Sequence, residues 1–215
     1  MTEPKKPDIY IAIPTSRDWK PEFGVSMIGL TFRLCQMARQ GLIAGFYVNN
    51  KITSNLPKGR QAMLDDALAG SFTHILWIDD DQQFPAECID LMLDKNKPWL
   101  AANICKKNGG GWIAAYSGGE KVNSTGRTGA ELIATMGLGM TLIQLDAIRH
   151  VQKPHFEMKW IDQMGEYLGE DLYFNLKCSH AGVPIWVDHD VSNLVKHVGN
   201  YGYGAQDIPA AQVAA

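Results

Sequence analysis

The chain has 215 residues, 46% of them hydrophobic and 20% charged, and its 20 Lys and Arg against 23 Asp and Glu leave a net charge of −3. This composition excludes a disordered chain, a collagen-like repeat and a coiled coil, and the length suits one or at most two domains. A mildly acidic chain is not built to grip nucleic acid along a continuous basic surface, although a local basic patch stays open.

Residues 8–13, DIYIAI, are β-branched and apolar and run into Pro14, which predicts a buried strand followed by a loop over 15–21. Over residues 24–40, Val25, Ile28, Leu30, Leu34, Met37 and Ala38 recur at helical spacing, and Gly41 closes the helix. Residues 42–48 read as a second buried strand, 49–57 as a loop, 58–69 as a helix ended by Gly70, and 73–78 as a third strand. Strand, helix, strand, helix, strand is the pattern of a parallel sheet with crossover helices. A helix from Pro85 to Asn96 and a strand over 99–104 follow. The second half is more irregular, with glycines at 109–111 and 118–119 and short strand-like runs at 111–116 and 130–135. A helix over 170–180 and a strand over 183–187 come last, and residues 209–215 read as a frayed tail. The expected organisation is a flexible N-terminus (1–7), one α/β domain (8–200) and a tail (201–215), the domain having a nucleotide-binding half (8–105) and an acceptor and catalytic half (106–200).

Cys35, Cys88, Cys105 and Cys178 form no C-x-x-C pair, residues 1–8 are polar without a signal-peptide core, and no apolar run approaches the roughly 20 residues that span a bilayer. These features predict buried, reduced thiols in a cytoplasmic protein, without a disulfide framework or zinc site.

The chemistry concentrates after the third strand, where Asp79, Asp80 and Asp81 follow THILWI. Ligands of open parallel sheets bind beyond the carboxyl ends of the strands. Three adjacent carboxylates there need a compensating cation, and oxygen ligands favour a hard divalent ion. Alternation along an extended backbone places Asp79 and Asp81 on one side and Asp80 on the other. The competing explanation is an acidic turn capping the helix that begins near Pro85. A haloacid-dehalogenase-type phosphatase also carries D-x-D at a strand end, but on the first strand and with a Thr where this chain has Gln83.

The stretches IAIPTSR, KGRQAMLDDAL, ILWIDDDQQFP, MGLGMTLI with the later GEDLYF, and KHVG occur in that order over residues 8–199. In this the chain resembles the compact, family-2-like nucleotide-diphosphate-sugar glycosyltransferases of the GT-A fold, of the kind found in bacteriophages. The resemblance implies a single GT-A-like α/β domain with a Rossmann-like, mostly parallel sheet flanked by helices. It implies that Asp79 and Asp81, completed by His197, hold Mn²⁺ or Mg²⁺ on the donor diphosphate. Pro14, Thr15, Ser16 and Arg17 would line the nucleotide, with Arg60 and Asp80 also on the donor and Gly137 and Gly139 at the sugar and acceptor junction. Asp171, beside Glu170, would be the catalytic base of an inverting transfer. The implied donor is a UDP-sugar, and the acceptor a hydroxymethylated pyrimidine in phage DNA or a surface glycan; a phage-encoded enzyme would work in the host cytoplasm.

Arg60 reads equally as a helix-surface charge, Glu170 and Asp171 as acidic residues favoured at a helix start, and Lys106 and Lys107 as a solvated turn. Trp112, Tyr116, Trp160, Tyr201 and Tyr203 supply either core, a slot for a flipped base or a sugar-stacking platform, and Tyr201 and Tyr203 suggest a loop over the donor. Two other classes compete. A nucleotidyltransferase needs a glycine-rich basic loop after the first strand, whereas no glycine follows Pro14 before Gly24. A non-catalytic nucleotide-sugar-binding module would tolerate loss of Asp171.

Overall fold

The computed structural model describes residues 5–16, 18–107, 110–116, 119–163, 165–199 and 202–207. Residues 1–4, Arg17, Tyr201 and the tail from residue 208, all singled out above, lie outside the described residues.

The chain forms a mixed α/β structure around a seven-stranded sheet. Its first half contains β1 (Asp8–Thr15), α1 (Pro21–Arg39), β2 (Gly45–Ile52), α2 (Leu56–Ala69), β3 (His74–Ile78), β4 (Gln82–Gln83), α3 (Cys88–Asp94) and β5 (Trp99–Ala102). The second half adds β6 (Ala130–Ile133), β7 (Met140–Gln144), α4 (Leu145–Ile148), β8 (Lys159–Ile161), β9 (Glu166–Leu168) and α5 (Glu170–His180). It ends with β10 (Ile185–Asp188), α6 (His189–Ser192), β11 (Lys196–Val198) and β12 (Gly202–Tyr203). The sheet order is β2-β1-β3-β7-β5-β10-β6. β1 pairs in parallel with β2 and β3, and β10 with β5, while β7 opposes β3 and β5, and β6 opposes β10. The sheet is therefore mostly parallel, as expected, with β7 and β6 reversed.

Because successive strand residues face opposite sides, each central strand feeds two cores. Tyr10, Ala12, Ile75, Trp77, Trp99 and Ala101 face one core, with Met63 and Leu64 of α2 and Phe174 and Cys178 of α5. Ile9, Ile11, Leu76, Ile78, Leu100 and Ala102 face the other, with Phe23, Met27, Leu30 and Leu34 of α1 and Ile89 and Met92 of α3. Both faces are covered by helices, which is why the strands read as continuous apolar runs.

The differences from the expected elements have local causes. α1 begins three residues early because Pro21 occupies its first turn, where a missing N–H costs nothing. The buried stripe runs through Phe23, Met27, Leu30, Leu34 and Met37, packed on the sheet, and leaves Val25 and Ile28, expected inside, 71% and 61% exposed. Gly41 ends the helix as expected: its φ is +69°, and the Leu42 N–H donates to the Met37 carbonyl at 2.9 Å. β2 lies at the sheet edge and is shifted to Gly45–Ile52, so its polar Asn49, Asn50 and Lys51 are strand and not loop. α2 is capped by Asn55, whose side chain accepts from the Lys58 N–H at 3.1 Å. The expected helix from Pro85 shrinks to Cys88–Asp94, and Gln82 and Gln83 ahead of it pair with β11. The run over 111–116 makes only isolated bridges, Cys105–Trp112, Ala115–Lys121 and Ala115–Thr135. Cys88, Cys105 and Cys178 are buried, but Cys35, on the outer face of α1, is exposed. Among the described residues no helix is long and apolar enough to cross a membrane.

Candidate active site

The parallel register that pairs Ile9 with His74 and Ala12 with Trp77 carries Thr15 alongside Asp80 beyond the strand ends. There the buried Thr15 hydroxyl donates to the Asp80 carboxylate. Asp80 thus faces the end of β1, with Pro14 buried and Ser16 exposed on the same segment. The backbone turns at Asp79–Asp81 instead of staying extended, the Gln82 N–H donating to the Asp79 carbonyl at 3.2 Å. Asp80 does point away from its neighbours, but Asp79 and Asp81 are not held as a matched pair. Each engages a different cation.

Asp79 accepts from Arg60 Nη2 at 2.9 Å. Arg60 sits on the inner face of α2, 3% exposed and therefore no surface charge. Its Nε lies 3.5 Å from Glu170 Oε1, its guanidinium carbon 5.7 Å from the centre of the Trp77 ring, and its Nη1 has no hydrogen-bond partner among the described residues. A buried cation thereby ties the end of β3 to the start of α5. Burial raises the pKa of Asp79, and so does the charge of Asp81, Asp171 and Asp80, against the opposing pull of Arg60. Glu170 is raised for the same reason: burial first, then Asp171 and Asp79, with Arg60 again opposing. These mutual effects show that Asp79, Asp80, Asp81, Glu170 and Asp171 converge.

Asp81 faces the opposite way. Its Oδ2 lies 2.6 Å from Lys107 Nζ and 3.3 Å from His197 Nε2. Burial alone would raise its pKa, but hydrogen bonds from His197 and Lys107 prevail and hold it at about 2. His197 Nδ1 lies 2.9 Å from the Cys105 carbonyl, which can only accept, so Nδ1 carries a hydrogen. Nε2 and the Asp81 carboxylate then face each other with a proton or a cation between them. β11 reaches this place by pairing His197 with Gln82.

One cavity of about 60 Å³ collects Asp79, Gln82, Gly137, Gly139, Asp171 and His197 beyond the ends of β3 and β5. That volume admits a few waters or the reacting atoms of a larger molecule. The glycines permit the approach. Gly139 stands opposite Asp79 where the β3–β7 ladder ends, the Asp79 N–H donating to its carbonyl at 2.9 Å. A Cβ there would lie 3.3 Å from Ile104 Cγ1 and 3.4 Å from Gln82 Nε2. At Gly137 a Cβ would lie 3.4 Å from Asp171 Oδ2. Asp171 stands in the first turn of α5, where a carboxylate is favoured, and accepts from its neighbour's N–H, Leu172, at 2.7 Å.

Of the residues singled out in the sequence, Asp79, Gly137, Gly139, Asp171 and His197 share the cavity, with Arg60 and Asp81 in direct contact with members of that group and Glu170 joined to it through Arg60. Thr15 and Asp80 form the adjoining wall, and Arg17 lies outside the described residues. Two site residues were not foreseen. Lys107 was read as a solvated turn, and only the distant partner Asp81 assigns it here. Gln82 is 1% exposed, donates to Asp81 at 3.0 Å, and leaves Oε1 without a partner among the described residues. A second polar cluster invites a nucleophilic reading: His189 lies 3.0 Å from both Ser124 Oγ and Glu131 Oε2. Ser124 is 0% exposed and also accepts from Asn103, so it fastens the loop before β6 and has no route to a substrate.

No protein-family model and no curated protein sequence matches this chain. Among solved structures, it is similar to A197 from STIV at 15% identity, covering 90% of this chain and 86% of that one with a TM-score of 0.55. It is similar to residues 1–349 of S. aureus TarS in complex with UDP-GlcNAc at 13% identity, with the same TM-score of 0.55, covering 94% of this chain. The chain spans 62% of that TarS structure. At these identities the likeness speaks for the fold alone, a GT-A-like mixed α/β domain.

Proposed function

We propose that the protein is a metal-dependent glycosyltransferase that moves a sugar from a nucleotide-diphosphate donor to an acceptor hydroxyl with inversion. The observation that carries this reading is the single cavity in which Asp79, the two glycines, Asp171 and His197 meet, although they come from four separate stretches of the chain. The UDP-GlcNAc in the TarS structure supports a UDP-sugar as donor.

Among the described residues, no three His, Cys, Asp or Glu side chains stand ready as a metal cage. The donor set nevertheless suits a divalent ion that completes its shell with substrate phosphates. Asp81 and His197 offer an oxygen and a nitrogen that already face each other, and Asp79, its side chain 32% exposed, meets Arg60 through Oδ1 and can offer Oδ2 without leaving it. A nitrogen ligand among oxygens favours Mn²⁺ over Mg²⁺. When bound, the ion would offset charge on the leaving diphosphate.

The residues of the chain do the rest. Thr15 fixes Asp80 at the end of β1, where the nucleotide would lie. Arg60 holds Asp79 and the buried Glu170 in place and keeps the two neighbouring carboxylates compatible with each other. Lys107 reaches the site on a flexible stem and can follow negative charge from Asp81 to the diphosphate. Asp171 accepts the acceptor hydroxyl's proton as that oxygen bonds to the anomeric carbon and the bond from that carbon to the diphosphate oxygen breaks. Direct displacement of this kind inverts the anomeric centre.

The test is calorimetric titration of nucleotide sugars with Mn²⁺ and with chelator, on wild type, the double variant Asp79→Ala/Asp81→Ala, and Asp171→Asn. Metal-dependent UDP-sugar binding that is lost in the double variant and kept in Asp171→Asn, which fails in transfer, is expected. Preference for a nucleoside triphosphate, or full turnover by Asp171→Asn, would overturn the assignment.

A further inference from the structure

β8 and β9 form a separate two-stranded hairpin outside the main sheet, and it runs through Gly169 into the first turn of α5. Trp160 and Tyr167 stand directly opposite each other across the two strands, so both rings lie on one face, and Met158 precedes them on the same alternation. That face points outward: Trp160 is 49%, Tyr167 62% and Met158 52% exposed. The rings are ordered against each other, with centroids 5.1 Å apart in an edge-on arrangement. The indole N–H donates to Asp162 at 2.8 Å, which fixes the ring and leaves its surface open.

A short hairpin gains little stability by itself, and its exposed aromatic face does nothing for the core. Its place along the chain is informative. Tyr167 is four residues from Asp171, so their Cα atoms are at most about 14 Å apart, which a short oligosaccharide spans. The charge around the rings narrows the ligand. Residues 157–168 carry three exposed carboxylates, Glu157, Asp162 and Glu166, against the single Lys159. Such a surface repels a phosphate backbone, which proteins hold through Lys and Arg. It accepts a neutral ring whose C–H groups lie on the electron-rich aromatic faces and whose hydroxyls meet carboxylates.

We propose that the Trp160–Tyr167 face is the acceptor site and that the acceptor is an uncharged glycan, stacked on these rings with a hydroxyl presented to Asp171. This rests on the glycosyltransferase reading above and adds the acceptor class to it.

The experiment uses the full chain and the double variant Trp160→Ala/Tyr167→Ala, with Trp160→Phe as the conservative control. An array of neutral, sialylated and sulfated oligosaccharides and a DNA duplex serve as acceptor probes, and UDP-GlcNAc with Mn²⁺ as the donor probe. Wild type should bind neutral glycans, the double variant at least tenfold more weakly, and Trp160→Phe close to wild type, while donor affinity changes less than twofold throughout. Binding confined to anionic glycans or DNA, or neutral-glycan binding undiminished in the double variant, overturns the proposal. If donor binding is intact and no glycan binds, the hairpin assignment alone fails. If wild type binds no nucleotide sugar, the underlying reading fails and the acceptor role with it.

Discussion

Arg60→Met would expose how the site is held together. The guanidinium is buried and meets Asp79 at 2.9 Å and Glu170 at 3.5 Å. Methionine has similar length and no charge, so it keeps most of the packing against Trp77 and removes the cation. Breaking a buried pair by deleting one partner leaves an uncompensated charge, a loss of about 3–5 kcal/mol. The loss should depend on pH, and its sign can be worked out. Both carboxyls already have folded-state pKa values above their ordinary ones, with Arg60 opposing the rise. Without Arg60 they rise further, so the folded state holds extra protons at low pH and loses that stabilisation as pH increases. Urea unfolding of both proteins at pH 8.0 and pH 5.5 gives the difference between them, in which every unchanged titration cancels. That difference should be about 3–5 kcal/mol at the higher pH and smaller by about 1–2 kcal/mol at the lower, since one pKa unit is worth about 1.4 kcal/mol. A loss below about 1 kcal/mol, or an equal loss at both pH values, would refute the bridging role.

Three further perturbations test other parts of the structure. His74 is half-buried at the start of β3, and desolvation there lowers its pKa to about 4, so it folds neutral and must be charged on acidification. Wild-type stability should fall between about pH 6.5 and pH 4, and His74→Gln should remove about 3 kcal/mol of that fall in urea titrations; an unchanged acid limb counts against the burial argument. Lys107→Ala should let the Asp81 carboxyl climb from about 2 towards its ordinary value, as read by carboxyl NMR titration. The same variant should bind Mn²⁺ more tightly than wild type, because Lys107 competes with the ion for Asp81; weaker binding would mean that Lys107 supports the ion site. Finally, Asp171→Asn should lower transfer by about 10²–10⁴-fold with donor affinity preserved, the usual scale of a lost general base, and single-turnover assays would show whether it does.

The parts of the fold legible in the sequence are those written by burial on both faces. DIYIAI, THILWI and the Glu170–His180 helix stand where the apolar pattern places them, α5 with both ends as expected. β7 is not evident in the sequence: Met140, Leu142 and Ile143 are apolar, but Thr141 and Gln144 interrupt the run, which is shorter than that of β3. The run follows Gly137 and Gly139 and leads straight into a short helix, so no turn marks it as a strand, and local patterning carries no information that it will insert antiparallel between β3 and β5. α1 shows the other limit: its periodicity is genuine, but Val25 and Ile28 fit the expected stripe as well as Phe23 and Met27 do, and only packing against the sheet decides which face turns inward. In the site, Asp79 stands out because it follows a buried strand, whereas Asp171, in the first turn of α5, and His197, in a polar stretch, are singled out only by the family resemblance. Lys107 and Gln82 do not stand out, since their roles come from Asp81, which Lys107 meets only through the fold.

The charge of the site bears on what a donor requires. Asp79, Asp80, Asp81, Glu170 and Asp171 converge on it, and the cations that meet them are Arg60 and Lys107, with His197 beside Asp81. Arg60 is committed to Asp79 and Glu170 by burial and cannot leave them without stranding both. A nucleoside diphosphate adds more negative charge, and Lys107 alone is mobile enough among these groups to meet it, its side chain being 46% exposed. One lysine cannot serve Asp81 and a diphosphate together. A divalent ion at Asp81 and His197 would replace the lysine there and free it for the phosphates, so metal and donor should bind with positive cooperativity, each tightening the other by the same factor. Titrating Mn²⁺ with and without UDP, and UDP with and without Mn²⁺, measures that factor from both directions. In Lys107→Ala the coupling should fall, because the residue that links the two events is gone; equal coupling in the variant would show that the ion and the donor meet without it.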